Sequence, residues 1–329
     1  MRLLLLGGNG QVGWELQRAL APLGSLTVCN RQQADLSRPE TLGPLIQRIQ
    51  PDVIVNAAAY TAVDKAESDE ATARLVNATA VGVLAEQAKR LNALLVHYST
   101  DYVFDGTRLG PQPEDAPTRP LNRYGETKLA GEALIRAAGC RHLILRTSWV
   151  YATRGHNFAK TMLRLAGERD ELRVVADQIG APTSAELIAD VTALIIQRMA
   201  HDAALAAQAN GIYHLAAGGK TSWHAYACFV IQTARALGMQ LRVDPSRILP
   251  INAADFPSAA RRPGNSLLDT NKLQRTFGLQ LPDWQVHAER MLQEVVPVEI
   301  AARTATRHLQ ESMEQAERHL KAVSSVKQD

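Results

Sequence analysis

Short, mostly apolar runs recur along the first half of the chain, at Leu3–Leu6, Leu26–Cys29, Asp52–Asn56, Leu94–Val96 and His142–Arg146. Between them apolar residues fall three and four apart, as at Val12, Leu16, Ala19 and Leu20, and again at Leu75, Ala78, Val81, Leu84, Ala85 and Ala88. A continuous apolar run suits a strand covered on both faces, and the longer spacing suits a helix lying on it. Their strict alternation predicts an α/β fold with a doubly wound parallel sheet over residues 1–150. Ser37 and Glu40 around Pro39 have the spacing of a capping box opening a helix to about Ile49. One long helix is expected over Ala71–Leu91 and another from Tyr124 to about Ala138.

Beyond Tyr151 the rhythm loosens. Short strands are expected at Val174–Val175 and Tyr213–Leu215, and helices near Ala185–Met199 and Ser222–Leu237. Residues 151–298 read as a smaller mixed α/β substrate-binding portion, some of whose segments return to the first domain. Residues 299–329 read as a helical tail, where Leu309, Met313, Ala316, Leu320 and Val323 form a seam four and three apart. A partner helix, packing on the chain's own domain and a frayed end all fit that seam.

The first run leads straight into Gly7, Gly10 and Gly13 and then into a helical pattern. Glycines there allow a tight turn and close approach of backbone to a pyrophosphate, which the free amides of a helix N-terminus bind. The sheet is therefore expected to be Rossmann-type. The second run ends at Asn30 and Arg31, where an amide and a guanidinium suit a 2′-phosphate better than an acid would. NADPH is favoured, with NADH possible through the amide; an arginine simply solvated in a loop is the other reading.

Composition narrows the partners. The chain has 329 residues, 46% hydrophobic and 21% charged, enough for one large or two unequal globular domains. Its net charge is only +3 and no dense basic run is interleaved with aromatics, which argues against nucleic acid. No stretch approaches the roughly 20 apolar residues of a membrane span. Cys29, Cys140 and Cys228 match no metal spacing or disulfide framework, so a reduced, cytoplasmic setting is expected.

The chemistry gathers between Tyr98 and Lys128. Ser99, Thr100 and Asp101 follow a strand, where open parallel sheets bind ligands. Tyr124 and Lys128, four apart, share one helix face, and the ammonium is expected to lower the phenol's pKa so that it donates a proton. Residues 105–121, rich in glycine and proline, read as a mobile flap ahead of that helix. Asn77 is expected only to support the packing. Arg261 and Arg262 offer two guanidiniums in a proline-containing loop; a solvated corner is the usual reading, and a diphosphate the functional one.

Five segments carry a resemblance: Ser99–Phe104, Tyr124–Leu129, Arg146–Tyr151, Asp177–Thr183 and Arg261–Pro263. In this order they resemble the dTDP-4-dehydrorhamnose reductase family of extended short-chain dehydrogenase/reductases, over about residues 1–296. The resemblance implies NADPH-dependent reduction of the C4 ketone of dTDP-4-dehydro-6-deoxy-L-mannose to dTDP-L-rhamnose, for surface polysaccharide. It implies Tyr124 as proton donor, Lys128 as its partner and ribose ligand, and Thr100 at the reacting oxygen. Asp101 and Trp149 would border the sugar, with Asn157 and Arg261 toward the diphosphate. Gly10, Gln11, Val12, Asp35, Leu36, Ala59, Tyr60, Thr61 and Tyr98 would line the cofactor. It also implies a Mg²⁺-linked homodimer with Glu15, Glu186 and Glu294 as ligands; glutamates merely solvated on helix faces are the other reading. A sugar-nucleotide epimerase or dehydratase and a non-catalytic regulatory subunit of this fold remain as alternatives.

Overall fold

The computed structural model describes the backbone of residues 1–325 and their side chains except 306–309, 311 and 314–325. Six strands form one sheet: β1 (Arg2–Leu6), β2 (Ser25–Cys29), β3 (Val53–Asn56), β4 (Leu94–Thr100), β5 (His142–Thr147) and β6 (Gly211–His214). Their order is β6-β5-β4-β3-β1-β2 and every pair is parallel. The apolar runs are continuous because both faces are covered. Leu3, Leu5, Val53, Val55, Val96, Leu143 and Leu145 enter one core layer, and Leu4, Leu6, Ile54, Leu95 and Ile144 enter the other.

Strand order reverses at β1, so the crevice for a ligand opens at the carboxyl ends of β1 and β3. The helices that position the site are α1 (Gln11–Leu20), α2 (Leu42–Ile49), α3 (Ala80–Leu91), α4 (Arg123–Ala138), α5 (Phe158–Glu168), α6 (Ala185–His201), α7 (Trp223–Ala236) and α8 (Trp284–Ser325). The sixth strand comes from residues 211–214, well beyond residue 150, and pairs with β5.

Three local expectations need correction. The Ser37 hydroxyl bonds Asp35 Oδ1 at 2.8 Å, so no capping box forms, and a short 3₁₀ turn at Pro39–Thr41 precedes α2. The long helix before β4 is interrupted by a π turn at Leu75–Thr79, which turns Asn77 away from its own helix toward other partners. The flap is anchored. Asn265 Nδ2 donates to the carbonyls of Arg108 and Gly110, Gln112 exchanges backbone bonds with Leu267 and Asp269, and Glu114 Oε1 accepts from His214 N. In the tail, α8 continues through Pro297. Met313 is exposed, and the side chains of Leu309, Ala316, Leu320 and Val323 lie outside the described residues.

Helix α4, which carries Tyr124 and Lys128, is fixed to the sheet by a buried ion pair. Arg146 on β5 makes a two-point contact with Glu132, Nε to Oε1 at 2.9 Å and Nη2 to Oε2 at 2.7 Å, with side chains only 3% and 2% exposed. Ser99 Oγ on β4 donates to the same carboxylate at 2.5 Å. Such a pair adds little over apolar packing, but removing one partner strands a buried charge. Arg146→Met is therefore expected to cost about 3–5 kcal/mol in urea unfolding. A loss below about 1 kcal/mol would show that the pair does not hold the helix.

Candidate active site

The turn after β1 is a close-packed cradle. Gly7 has φ +81°, and a Cβ there would lie 2.7 Å from Ala58 N; one on Gly13 would lie 2.0 Å from Gly7 O. The amides of Gly7 and Gly8 both bond Cys29 O, tying the turn to the end of β2. Gly10 precedes α1 without a side-chain cap, so the first amides of the helix are left for an anion. A dinucleotide pyrophosphate fits this seat. Gln11 and the half-buried Val12 follow directly.

At the end of β2, Asn30 Oδ1 accepts from Gln32 N at 2.9 Å, which shapes the turn, while the Arg31 side chain is 81% exposed and only 3.7 Å from Asp35. That leaves the guanidinium available for an outside anion. Asp35 itself accepts from the Ser37 amide and hydroxyl, and these bonds hold its carboxyl below the usual range. Leu36 is buried in the core beneath the sheet.

The loop after β3, Ala57 to Thr61, is pinned by Asn77, a residue whose reach only the π turn reveals. Asn77 Oδ1 accepts from Tyr60 N at 2.8 Å, and Nδ2 donates to Tyr60 O at 3.0 Å and to Thr127 Oγ1 at 3.1 Å. One buried amide thus registers the Ala59–Thr61 loop against α4, one residue from Lys128. The Tyr60 hydroxyl bonds Asp69 at 3.0 Å.

Thr100, Asp101 and Tyr124 meet at the end of β4. The Thr100 hydroxyl sits near enough to the Tyr124 phenol to oppose the rise in its pKa, donates to Asp101 Oδ1 at 3.2 Å and accepts from Tyr102 N at 3.1 Å. Asp101 Oδ2 is buried without a well-formed hydrogen bond, and burial pushes its carboxyl up to about 7, with Ser266 and Thr100 opposing. Tyr124 is half-buried, with Tyr102 edge-on at 5.8 Å. Burial pushes its phenol up to about 12, Thr100 opposing and Asp101 adding.

Lys128 does not act as the spacing suggested. Its ammonium position turns into the sheet, 2.6 Å from Tyr98 O and 3.3 Å from His97 Nε2, and it is not among the groups that move the phenol. Burial lowers Lys128 to about 8, with Glu132 opposing. Tyr98 offers its carbonyl here, while its ring is buried and its hydroxyl bonds Thr192 at 2.8 Å.

The later portion supplies the facing wall. Trp149 has φ +48° and stacks on Trp223 at 3.6 Å and 13°, where a Cβ on Gly180 would strike its ring at 2.5 Å. Trp223 had no motif to mark it; only its place at the start of a helix after Ser222 was visible. Asn157 caps α5 by accepting from Lys160 N and reaches Gln11 Oε1 at 3.3 Å, joining this portion to the phosphate cradle. Arg261 is exposed and its carbonyl accepts from Asn122 Nδ2, the cap of α4, at 2.7 Å. Arg262 is engaged by Asp64 at 2.7 Å.

Glu15, Glu186 and Glu294 line one cavity of about 220 Å³, together with Arg18, His287 and Arg290. Arg290 lies 3.1 Å from Glu186 and 3.8 Å from Glu294, and Arg18 lies 3.8 Å from Glu15. Arg290 pairs closely with Glu186, while the guanidinium contacts of Glu15 and Glu294 are looser. Among the described residues no group of three or more acidic, histidine or cysteine side chains is arranged to hold a metal ion.

A phenol, a threonine hydroxyl and a buried lysine at this strand end, beside a phosphate seat at the sheet's reversal point, place the protein among the dinucleotide-dependent short-chain dehydrogenase/reductases. The family model for the RmlD substrate binding domain matches residues 1–296. A dTDP-4-dehydrorhamnose reductase of Shigella flexneri is 53% identical over 90% of this chain and 98% of its own, and one of Burkholderia thailandensis is 51% identical over 87% and 96%. The crystal structure of the Bacillus anthracis dTDP-4-dehydrorhamnose reductase in complex with NADP superposes with a TM-score of 0.78 at 34% identity, covering 89% of this chain and 99% of that one. The chain belongs to the dTDP-4-dehydrorhamnose reductase family.

The state of Lys128 has a consequence for stability. Because its folded pKa is about 8 against an ordinary 10.5, the unfolded chain binds more protons between those values, and stability rises with pH across that window. Below it, holding the ammonium costs about 3 kcal/mol. Wild type is expected to gain stability relative to Lys128→Met between about pH 8 and 10, measured by urea unfolding. A difference that stays flat would place the lysine in a far more polar setting.

Proposed function

We propose that this chain reduces the C4 ketone of dTDP-4-dehydro-6-deoxy-L-mannose to give dTDP-L-rhamnose, using NADPH. The observation that carries the reading is the Thr100–Tyr124 hydroxyl pair at the end of β4, in a chain 53% identical to a dTDP-4-dehydrorhamnose reductase. The nicotinamide, when bound, supplies the hydride. Tyr124 gives its proton to the oxygen that becomes the C4 hydroxyl, and Thr100 holds that oxygen and the phenol in line. Transferring this proton from a phenol raised to about 12 is helped as negative charge grows on the alkoxide, a stronger base. Lys128 would hold the nicotinamide ribose. Trp149 would pack on the sugar, with Asp101 at its edge and Arg261 free for the diphosphate.

Gly7, Gly10, Gln11, Val12 and Gly13 would seat the pyrophosphate. The exposed Arg31 supports NADPH over NADH. A cytoplasmic setting is supported by three free cysteines, and among the described residues no helix is long and apolar enough to cross a membrane. A magnesium-linked homodimer is the finer part of the reading and rests on the family resemblance. A fall in sedimenting mass on adding EDTA is its expected result, and an unchanged mass removes the metal.

The decisive assay follows NADPH oxidation with the purified sugar nucleotide. Wild type should turn over, faster with NADPH than NADH, while Tyr124→Phe should lose about 10²–10⁴-fold in kcat with cofactor affinity nearly unchanged. Turnover without net NADPH loss would favour an epimerase. A Tyr124→Phe rate equal to wild type would remove the phenol from the mechanism.

A further inference from the structure

Behind Lys128 a line of buried groups leads away from the site, and the reaction as described does not use it. Asn56, at the end of β3, and His97, on β4, are each about 1% exposed. Asn56 Oδ1 accepts from Ala58 N at 3.2 Å, which assigns the oxygen to that side and leaves Nδ2 facing His97 Nδ1 at 3.1 Å. Nδ2 has only hydrogens to give, so Nδ1 must be the bare, accepting nitrogen. Burial keeps the imidazole neutral, and its one proton then sits on Nε2. Nε2–H points at Lys128 Nζ, 3.3 Å away. An ammonium has no lone pair to receive it; an amine has one.

We propose that Asn56 and His97 position Lys128 by presenting Nε2–H to it, favouring its neutral amine, and that binding of the anionic dinucleotide brings a proton to this lysine. In the amine state Nζ accepts from His97 and donates to Tyr98 O. On cofactor binding one solvent proton adds to the Nζ lone pair, the acceptor for His97 is lost, and the ammonium is free to donate toward the ribose and phosphates. The other ionisable neighbours do not reverse this. Glu132, one turn along α4, favours the ammonium, but its carboxylate is taken by Arg146 from β5 and Ser99 from β4. Tyr124 and Asp101 gather around Thr100 at the end of β4 and are not among the groups that shift Lys128. His97 is thus a positioning residue and not a catalytic one.

The proposal rests on the dinucleotide part of the reading above, but its first test needs no ligand. Nitrogen-15 NMR of the free protein, with His97 assigned through His97→Gln, should show protonation on Nε2 and a bare Nδ1 that do not change between about pH 6 and 9. A proton on Nδ1, or an imidazolium in that range, would overturn it. The second test is calorimetry of NADP⁺ binding at about pH 8.5 in buffers of different ionisation heat. Wild type should take up protons. In Asn56→Asp the carboxylate can only accept, so Nδ1 must carry a proton, Nε2 accepts from the lysine ammonium, and the buffer-dependent heat should fall several-fold while binding persists. Equal uptake in both proteins would also overturn the proposal, whereas no binding by wild type would sink the cofactor reading instead.

Discussion

The carboxylate of Glu132 is the point on which the geometry of this protein turns. It receives Arg146 from β5 by two bonds and Ser99 from β4 by a third, so one buried charge ties α4 to two neighbouring strands. Lys128 stands one helical turn before Glu132 on the same face. Fixing the rotation of α4 through Glu132 therefore also fixes the direction in which Lys128 leaves the helix, toward Tyr98 O and His97. The same guanidinium lies over the Phe104 ring at 5.0 Å and reaches Glu114 O at 3.3 Å, which draws the loop before α4 onto the sheet. A charge pair of this kind gives little net stability, and its value here is in register.

A second constraint works from the opposite side of the helix. Asn77 holds the Ala59–Thr61 loop and Thr127 together, and Asn122 holds the start of α4 to the Arg261 backbone. The loop after β3, helix α4 and the later guanidinium loop are thereby joined through two side chains. Each removes freedom from a segment that frames the candidate site, which is how a scaffold brings reactants together at little further cost in entropy.

What could be read from the sequence was what local pattern determines. The strands β1, β3, β4 and β5 were legible because burial on both faces leaves largely continuous apolar runs, the edge strand β2 because Leu26 and Val28 alternate with exposed Ser25 and Thr27, and the glycine turn because its residues and its place after a strand coincide. The helical spacing of Tyr124 and Lys128 was also legible, but only as a shared face. Whether Lys128 turns toward the phenol or into the sheet depends on carbonyls and an imidazole supplied by β4, which spacing does not encode. The π turn at Asn77 depends in the same way on Tyr60, a partner 17 residues away. Strand β6 is short and reaches the sheet only after a long excursion, so its partner could not be read locally. The flap looked free because glycine and proline mark a loop, whereas its anchors Asn265, Leu267 and Asp269 lie far downstream.

The wall opposite the sheet shows how the later portion contributes more than contact. Trp149 sits at φ +48°, a conformation unfavourable for a bulky residue, and such strain persists only where surroundings over-determine it. Here the surroundings are the Trp223 face stacked at 3.6 Å, the space left by Gly180, and the Trp149 carbonyl accepting from Thr183 N at 3.2 Å. Phe158, at the first turn of α5, packs on Trp223 with its ring tilted and centroids 4.6 Å apart. Asn157, which caps that same turn, also bonds Gln11 in the cradle. The aromatic wall and the phosphate seat are consequently set by one helix terminus. Asn157 and Phe158 are adjacent residues, the first bonded to the cradle and the second packed on the aromatic wall, so one turn of α5 positions both surfaces.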